Sequence, residues 1–331
     1  MRYSAIGADP ATIVECSQPR GSDLATKGTS MCGIVGIFSK SPGIAKRLGD
    51  YLTRMLVQMG DRGPDSAGIA IYRNPAAEGS SKLSLYAPDG GGDWEAVRVG
   101  LSEAFGVADH RAQGDHAVFV ISSEAVEAES WVAEHLPQVR VMSAGRAIEI
   151  YKAAMAPAEF AARFGTDRLY GTHALGHTRM ATESRVTTEG AHPFSTGLDL
   201  CLVHNGSLSN HNRLRRALRR EGITFRTEND SEIAAGYLTW QLRRGASLEQ
   251  ALEACLDDLD GFYTFAVGTA EGFAVLRDPI ACKPAVMAET DDWVAMASEH
   301  RAIAVLPGAA RAEVWEPEPA RVYSWGSRVT G

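Results

Sequence analysis

The apolar run Gly33-Ile34-Val35-Gly36-Ile37-Phe38 is the feature that most constrains how this chain can fold. It is short, rich in β-branched residues and interrupted by small ones, which predicts a buried strand. Cys32 stands directly before the run. Free cysteine is among the most buried residue types, so Cys32 taken alone is most simply a core residue. Its meaning here depends on the rest of the chain.

Four later motifs change the interpretation of that cysteine. In chain order they are Asp61-Arg62-Gly63-Pro64-Asp65-Ser66-Ala67-Gly68, Gly176-His177-Thr178-Arg179-Met180-Ala181-Thr182, His204-Asn205-Gly206 and Glu228-Asn229-Asp230-Ser231-Glu232. With Cys32 they resemble the class II glutamine amidotransferases, an N-terminal-nucleophile family that occurs as a domain in glucosamine-6-phosphate synthase, amidophosphoribosyltransferase, asparagine synthetase and glutamate synthase. Each motif is weak by itself, whereas all five in this order are specific. The resemblance extends from about residue 31 to about residue 307.

The resemblance implies a fold and a division of the chain. The fold class is α+β, a four-layer αββα sandwich in which two antiparallel sheets face each other beneath outer helices. The amidotransferase domain is expected at residues 32–310, with a small α/β insertion at about 88–145 and a C-terminal tail at 311–331. The insertion is inferred from a strand-helix-strand pattern. Two roles for it stay open, structural packing and a surface for a partner subunit.

Local patterns place the motifs on secondary structure. Apolar spacing predicts a helix over residues 44–60, and an apolar strand over 200–204 leads into Asn205-Gly206. A later amphipathic helix is predicted from residue 232, with Ser231 or Asp230 as its N-cap. Residues 261–268 and 273–278 are predicted to form a hairpin. The helix predicted over 210–221 carries five arginines, and a basic face of this kind is usually solvated.

The resemblance implies that Cys32 is the nucleophile and that its own α-amino group is the base. A thiol with a pKa near ~8.5 is mostly protonated at neutral pH, whereas an α-amino group titrates near about 7.7–8.0. This chemistry requires Cys32 to be the first residue, although residues 1–31 precede it. Three explanations stay open: translation starts at Met31, a propeptide is removed, or the chain is uncleaved and inactive.

Several histidines near the motifs offer a competing Cys-His interpretation. They are His173, His177, His192 and His204. An N-terminal amine makes a histidine base unnecessary, as in N-terminal threonine hydrolases. His177 and His204 precede the motif residues on predicted buried strands, so both are predicted to be core histidines.

Asn205 and Gly206 are expected to form the oxyanion site, one through its side-chain amide and the other through its backbone N–H. An ordinary Asn-Gly turn is the alternative. Arg179 is expected to bind the substrate α-carboxylate through two parallel hydrogen bonds, which a lysine could not copy. Asp230 is expected to bind the α-amino group, with helix N-capping as its alternative role.

Three further residues are assigned supporting roles around the predicted site. Thr182 is expected to help shape the substrate pocket. Arg62 and Asp65 are expected to hold the loop over the nucleophile rather than to take part in the chemistry.

Composition narrows the classes of partner and cofactor. The net charge of −8 argues against nucleic-acid and anionic-membrane binding, and no apolar run approaches the roughly 20 residues that span a bilayer. The five cysteines include no Cys-x-x-Cys pair, which argues against a disulfide framework, a metal site or an iron–sulfur cluster. We expect no cofactor and no metal, and a cytoplasmic location.

The resemblance implies that the protein hydrolyses L-glutamine to glutamate and ammonia through a thioester on Cys32. The ammonia is expected to pass to one or more separate synthase subunits in a hetero-oligomer. The chain looks most like the amidotransferase subunit of glutamate-synthase-like complexes, including N-methylglutamate synthase. Two rivals stay open: a non-catalytic subunit that senses glutamine or glutamate, and a related hydrolase that acts on another amide.

Overall fold

The computed structural model describes residues 32–88, 92–180 and 186–326. Its strands in chain order are β1 (Gly33–Ser39), β2 (Ser66–Tyr72), β3 (Ser81–Tyr86), β4 (Val107–Gln113), β5 (His116–Ile121), β6 (Arg140–Gly145), β7 (Ile148–Ala153), β8 (His173–Arg179), β9 (Cys201–Leu208), β10 (Gly261–Gly268), β11 (Gly272–Arg277), β12 (Val286–Glu289), β13 (Trp293–Ala297), β14 (Glu313–Trp315) and β15 (Val322–Gly326). Its helices are α1 (Pro42–Lys46), α2 (Leu48–Gln58), α3 (Trp94–Phe105), α4 (Ala125–His135), α5 (Pro157–Phe164), α6 (His211–Arg220), α7 (Asp230–Arg243), α8 (Leu248–Asp258) and α9 (His300–Ile303). The predicted roles of residues 1–31 lie outside this description.

Two antiparallel sheets form the centre of the molecule. The larger has the strand order β14-β12-β13-β1-β8-β2-β7, and the smaller has the order β15-β11-β10-β9. Apolar side chains from both sheets pack in one buried cluster, including Ile34 and Leu175 from the first sheet and Val203 and Phe273 from the second. The run that begins after Cys32 is therefore a central strand, and it is buried from Gly33 to Ile37, in agreement with the predicted buried strand.

Helices cover the outer faces of both sheets. Leu52 and Leu56 of α2 and Phe160 of α5 pack with the larger sheet. Ile233 of α7 and Leu252 of α8 pack with the smaller one. The predicted four-layer αββα sandwich is confirmed, because each sheet buries one face against the other sheet and one against helices.

The inserted segment has a sheet and a hydrophobic core of its own. Its strand order is β4-β5-β3-β6, and α3 and α4 pack on this sheet through Val97, Leu101 and Val132. The sheet begins with β3 at Ser81, ahead of the predicted boundary at about residue 88. The predicted strand-helix-strand pattern corresponds to β5, α4 and β6, whereas β3, α3 and β4 were not predicted.

Three local predictions differ from the structure. The helix predicted over 44–60 is divided into α1 and α2 at Arg47, which has φ −120° and ψ 18°. The N-cap of α7 is Asn229, whose side chain accepts from the backbone N–H of Ser231, and not Ser231 or Asp230. Residues predicted as a tail form β14 and β15, because each strand pairs with the edge of a central sheet. The predicted hairpin is present as β10 and β11.

The described helices include none that could cross a membrane, being too short or too polar for that purpose.

Candidate active site

Cys32 lies at the entrance of the central strand of the larger sheet. It directly precedes β1, which pairs with β8 on one side and β13 on the other, and it is half-buried. Its main-chain carbonyl oxygen accepts two side-chain hydrogen bonds, from Arg62 Nε over 3.2 Å and from Asn205 Nδ2 over 3.1 Å. Two of the predicted site residues therefore contact the predicted nucleophile directly.

The surroundings of the Cys32 thiol keep it protonated at neutral pH. Burial raises the pKa of the thiol, because the charged thiolate loses its hydration. The backbone N–H of Met180 and the positive charges of Arg179 and Lys283 partly offset this effect on the pKa. A base is therefore needed to make the thiolate.

Arg62 lies on a loop that packs tightly against the end of β8. A Cβ atom at Gly63 would stand 2.4 Å from the carbonyl carbon of Thr178, so only glycine allows this approach. The Arg62 guanidinium also donates to Glu299 Oε1 over 2.5 Å. Among the described residues, its Nη2 atom has no hydrogen-bond partner and is buried. Both N–H groups of this Nη2 atom are therefore unpaired within the described part of the chain.

Arg179 is the last residue of β8 and is fixed from both sides. Its carbonyl oxygen accepts from the backbone N–H of Asp65 over 3.0 Å, which joins the loop of Arg62 to the end of this strand. The Arg179 Nη1 atom donates to the carbonyl oxygen of Gly190 over 3.0 Å. The positive charge of Arg179 acts on the Cys32 thiol, so the two residues lie in one site.

Asn205 and Gly206 lie inside β9 and do not form a turn. They pair with Thr264 and Tyr263 of β10. Asn205 is only 3% exposed. A Cβ atom at Gly206 would stand 2.0 Å from the carbonyl oxygen of Phe262, which excludes any larger residue there. The alternative of an Asn-Gly turn is therefore wrong, because long-range pairing extends the strand through both residues.

Asp230 is the first residue of α7, and its carboxylate faces β9 rather than the helix amides. Oδ2 accepts from the backbone N–H of Leu208 over 2.8 Å. This bond places Asp230 beside the strand that carries Asn205 and Gly206. The capping interpretation of Asp230 is wrong, since Asn229 performs that role.

The histidines form a buried group behind the site. His177 donates through Nε2 to the carbonyl oxygen of His204 (3.0 Å) and stacks on His192 at 4.0 Å between ring centroids. His204 Nδ1 is 2.8 Å from Ser231 Oγ. Burial lowers the pKa of His177 to about 3 and that of His204 to about 4. Both are core histidines, as predicted, and neither hydrogen-bonds to Cys32 within the described ranges.

Thr182 lies outside the described residues, so its predicted role remains a prediction. Two residues near Cys32 were not singled out from the sequence. Glu299 lies two residues after β13, and Lys283 directly precedes Pro284. Only the fold brings Glu299 to Arg62 and the positive charge of Lys283 to the Cys32 thiol, because these residues lie far apart in the sequence.

The four-layer sandwich, with a half-buried cysteine directly before its central strand, has the fold of the N-terminal-nucleophile hydrolases. A family model described as a glutamine amidotransferase domain matches residues 177–305. The chain is 54% identical over 296 residues to the glutamine amidotransferase-like protein GlxB of Rhizobium meliloti (strain 1021), which covers 89% of this chain and 98% of that protein. The chain therefore belongs to the glutamine amidotransferase family, and it is an enzyme of the class II type within that family.

More distant relatives match only part of this chain. It is 34% identical over 143 residues to an amidophosphoribosyltransferase of Archaeoglobus fulgidus, covering 42% of this chain and 31% of that protein. Among solved structures, glutamine phosphoribosylpyrophosphate amidotransferase from B. subtilis superimposes with a TM-score of 0.55 at 20% identity. That match covers 89% of this chain and 47% of the other. This last likeness concerns the fold.

Proposed function

We propose that this protein hydrolyses L-glutamine to glutamate and ammonia, with Cys32 as the nucleophile. The observation that carries the proposal is the convergence on Cys32 of an amide donor from Asn205, a guanidinium from Arg62 and the positive charge of Arg179. A nucleophile, an oxyanion donor and a carboxylate ligand are the groups that selective amide hydrolysis of an amino acid needs.

The reaction proceeds in two balanced steps. Cys32 Sγ attacks the side-chain amide carbon of glutamine, and the thiol proton passes to the α-amino group of Cys32. Ammonia leaves with that proton, and a γ-glutamyl thioester remains. Water then attacks the thioester, the amine accepts and returns a proton, and glutamate leaves the regenerated thiol. Because burial raises the pKa of the thiol, the nearby amine is the base that this step requires.

The other residues recognise the substrate and its transition state. The Asn205 amide and the Gly206 N–H stabilise the tetrahedral oxyanion. Arg179 binds the α-carboxylate, and Asp230 binds the α-amino group with its opposite charge. Thr182 helps to shape the substrate pocket, while Arg62 and Asp65 hold the loop over Cys32. Together, Arg179 and Asp230 select a free amino acid over a peptide or a simple amide.

The ammonia passes to a separate synthase subunit of the glutamate-synthase type, including N-methylglutamate synthase, within a hetero-oligomer. The resemblance of the sequence motifs to stand-alone amidotransferase subunits of glutamate-synthase-like complexes supports this assignment. In the assembled complex, amide-¹⁵N glutamine should label the product of the synthase. Label that appears only as ammonia in the medium would contradict delivery to a partner.

The first experiment is the intact mass of the purified full chain after exposure to a diazoketone analogue of glutamine. A mass that starts at Cys32 and carries one adduct is the expected result. Cys32→Ser should take up no adduct. Cys282 is exposed and supplies a matched control, since Cys282→Ser should still take up one adduct.

Two other outcomes would favour the rivals. An unprocessed mass without an adduct would overturn hydrolysis for that form of the chain and favour a glutamine- or glutamate-sensing subunit. An Arg179→Ala variant with undiminished turnover of glutamine would favour a hydrolase of another amide.

A further inference from the structure

Lys152 is a buried lysine that the proposed reaction does not use. It lies on β7 and is only 4% exposed. Its Nζ atom donates to three main-chain carbonyl oxygens, those of Glu189 (3.1 Å), Ala191 (2.8 Å) and Pro193 (3.2 Å). We call residues 189–193 the carbonyl segment. One ammonium group has three donors, so this segment satisfies all of them.

The carbonyl segment also holds the arginine of the active site. Gly190 lies between two of the residues that Lys152 binds, and its carbonyl oxygen accepts from Arg179 Nη1 over 3.0 Å. The backbone N–H of Gly190 donates to Thr187 Oγ1 over 3.1 Å, which shapes the turn before it. A shift of this segment would therefore move a direct partner of the Arg179 guanidinium.

The sheet is built to let the carbonyl segment approach closely. Gly68 on β2 pairs with Lys152 on β7. A Cβ atom at Gly68 would stand 2.1 Å from the carbonyl oxygen of His192 and 2.6 Å from Lys152 Cβ. Only glycine leaves room for the segment, so the last residue of the motif at 61–68 serves this contact. The Phe194 ring lies 4.8 Å from Lys152 Nζ and covers the ammonium.

One of the charged groups that act on Lys152 lies on α7, the helix that begins with Asp230. Burial lowers the pKa of Lys152 to about 7, and the carboxylate of Glu232 on α7 opposes that fall. Glu232 also accepts the backbone N–H groups of Arg226 and Thr227. The titratable and charged groups facing Lys152 or lining the adjacent cleft are Glu232, Glu189, Arg226, Arg140, His192 and His116.

We propose that Lys152 is a positioning residue that clamps the carbonyl segment and, through Gly190, sets the Arg179 guanidinium for the α-carboxylate of glutamine. The Arg179 part rests on the function proposed above. The clamp itself rests on the three carbonyl contacts, on the close approach that Gly68 permits and on the bond between Gly190 and Arg179.

The test compares Lys152→Met with Lys82→Met. Lys82 is a matched control, because it is a strand lysine only 3% exposed whose Nζ bonds Glu149 and the carbonyl oxygen of Arg73, away from the carbonyl segment. Hydrogen exchange of the full-length chain should show lost protection at residues 186–195 in Lys152→Met only. The KM for glutamine should rise roughly tenfold in the same variant, with kcat nearly unchanged.

A pH profile separates this role from simple packing. Lys152 loses its proton as the pH rises through about 7, and a neutral amine cannot donate to three carbonyls at once. The ratio of the KM of Lys152→Met to the KM of the parent should therefore shrink above neutral pH. The corresponding ratio for Lys82→Met should not change with pH.

Each outcome decides a separate statement. Unchanged protection at 186–195 in Lys152→Met would overturn the clamp. Lost protection with an unchanged KM would overturn the link to Arg179. If the parent chain, processed so that Cys32 is its first residue, neither binds nor turns over glutamine, the proposed function and the link to Arg179 are both overturned. Hydrogen exchange would still decide whether Lys152 clamps the carbonyl segment.

Discussion

The side-chain amide of Asn205 donates a hydrogen bond to the main-chain carbonyl oxygen of Cys32 over 3.1 Å, across 173 positions of sequence. This contact joins the smaller sheet to the start of the central strand of the larger one. It places an amide donor beside Cys32, the nucleophile of the proposed reaction. One N–H of the amide makes this bond and fixes the side chain, which pre-organises its second N–H for the proposed oxyanion.

Asn205→Ala is expected to lower kcat for glutamine by roughly 10²–10³-fold with a small change in KM, because an oxyanion donor acts mainly in the transition state. Ammonia release measured against glutamine concentration gives both constants. Asn210→Ala is the control, since Asn210 bonds to Asp258 and Asp260 outside the site. A raised KM with an unchanged kcat would contradict the oxyanion role.

Glu299→Gln is expected to lower kcat about three- to tenfold. The Arg62 guanidinium donates to both Glu299 and the carbonyl oxygen of Cys32. Because a neutral amide holds Arg62 more weakly than a carboxylate does, the guanidinium beside Cys32 becomes less well fixed. Glu289→Gln removes a carboxylate from a more exposed ion pair with Lys40 and should leave kcat unchanged. Equal effects of the two variants would argue against a special role for Glu299.

Arg179→Lys is expected to raise the KM for glutamine roughly 10- to 100-fold, because an ammonium cannot form two parallel hydrogen bonds to the α-carboxylate. Initial rates over a wide range of glutamine concentration provide the measurement. Arg216→Lys, on the exposed face of α6, makes the same chemical change outside the site. A KM equal to that of the parent would remove Arg179 from carboxylate binding.

The fold is expected to lose stability as the pH falls from about 6.5 towards 4. Burial lowers the pKa of His173 and of His204 to about 4 and that of His177 to about 3, so the unfolded chain binds protons that the folded chain does not. The stability that these histidines contribute is present above pH 6.5 and is lost on acidification. A shift of the pKa from 6.5 to about 4 corresponds to roughly 3 kcal/mol for one histidine.

Urea unfolding at several pH values measures this loss. His173→Asn should make the free energy of unfolding depend less steeply on pH. This holds even if the substitution lowers the stability of the fold at every pH. His300→Asn changes an exposed histidine and should keep the slope of the parent. A free energy of unfolding that does not change between pH 7 and pH 5 would contradict the buried, neutral state of the three rings.

Much of the fold was predictable because its signals are local. The run from Gly33 to Phe38 forms a buried strand in any context that supplies two neighbours, and the motifs indicated the family and hence the sandwich. The inserted segment shows where local signals fail. The strand Ser81–Tyr86 and the helix Trp94–Phe105 were missed, because β3 is defined by its pairing with β5 and β6 rather than by its own pattern.

The sequence by itself determined which residue types were available for chemistry: a cysteine before a core strand, an arginine, an asparagine and an aspartate in recognisable motifs. Only the tertiary structure decided how they act on one another. It extended Asn205 and Gly206 into β9, turned Asp230 towards Leu208 and brought Glu299 to Arg62 and Lys152 to the carbonyl segment. These contacts join residues distant in the chain, and only sheet pairing and layer packing bring such residues within hydrogen-bond distance.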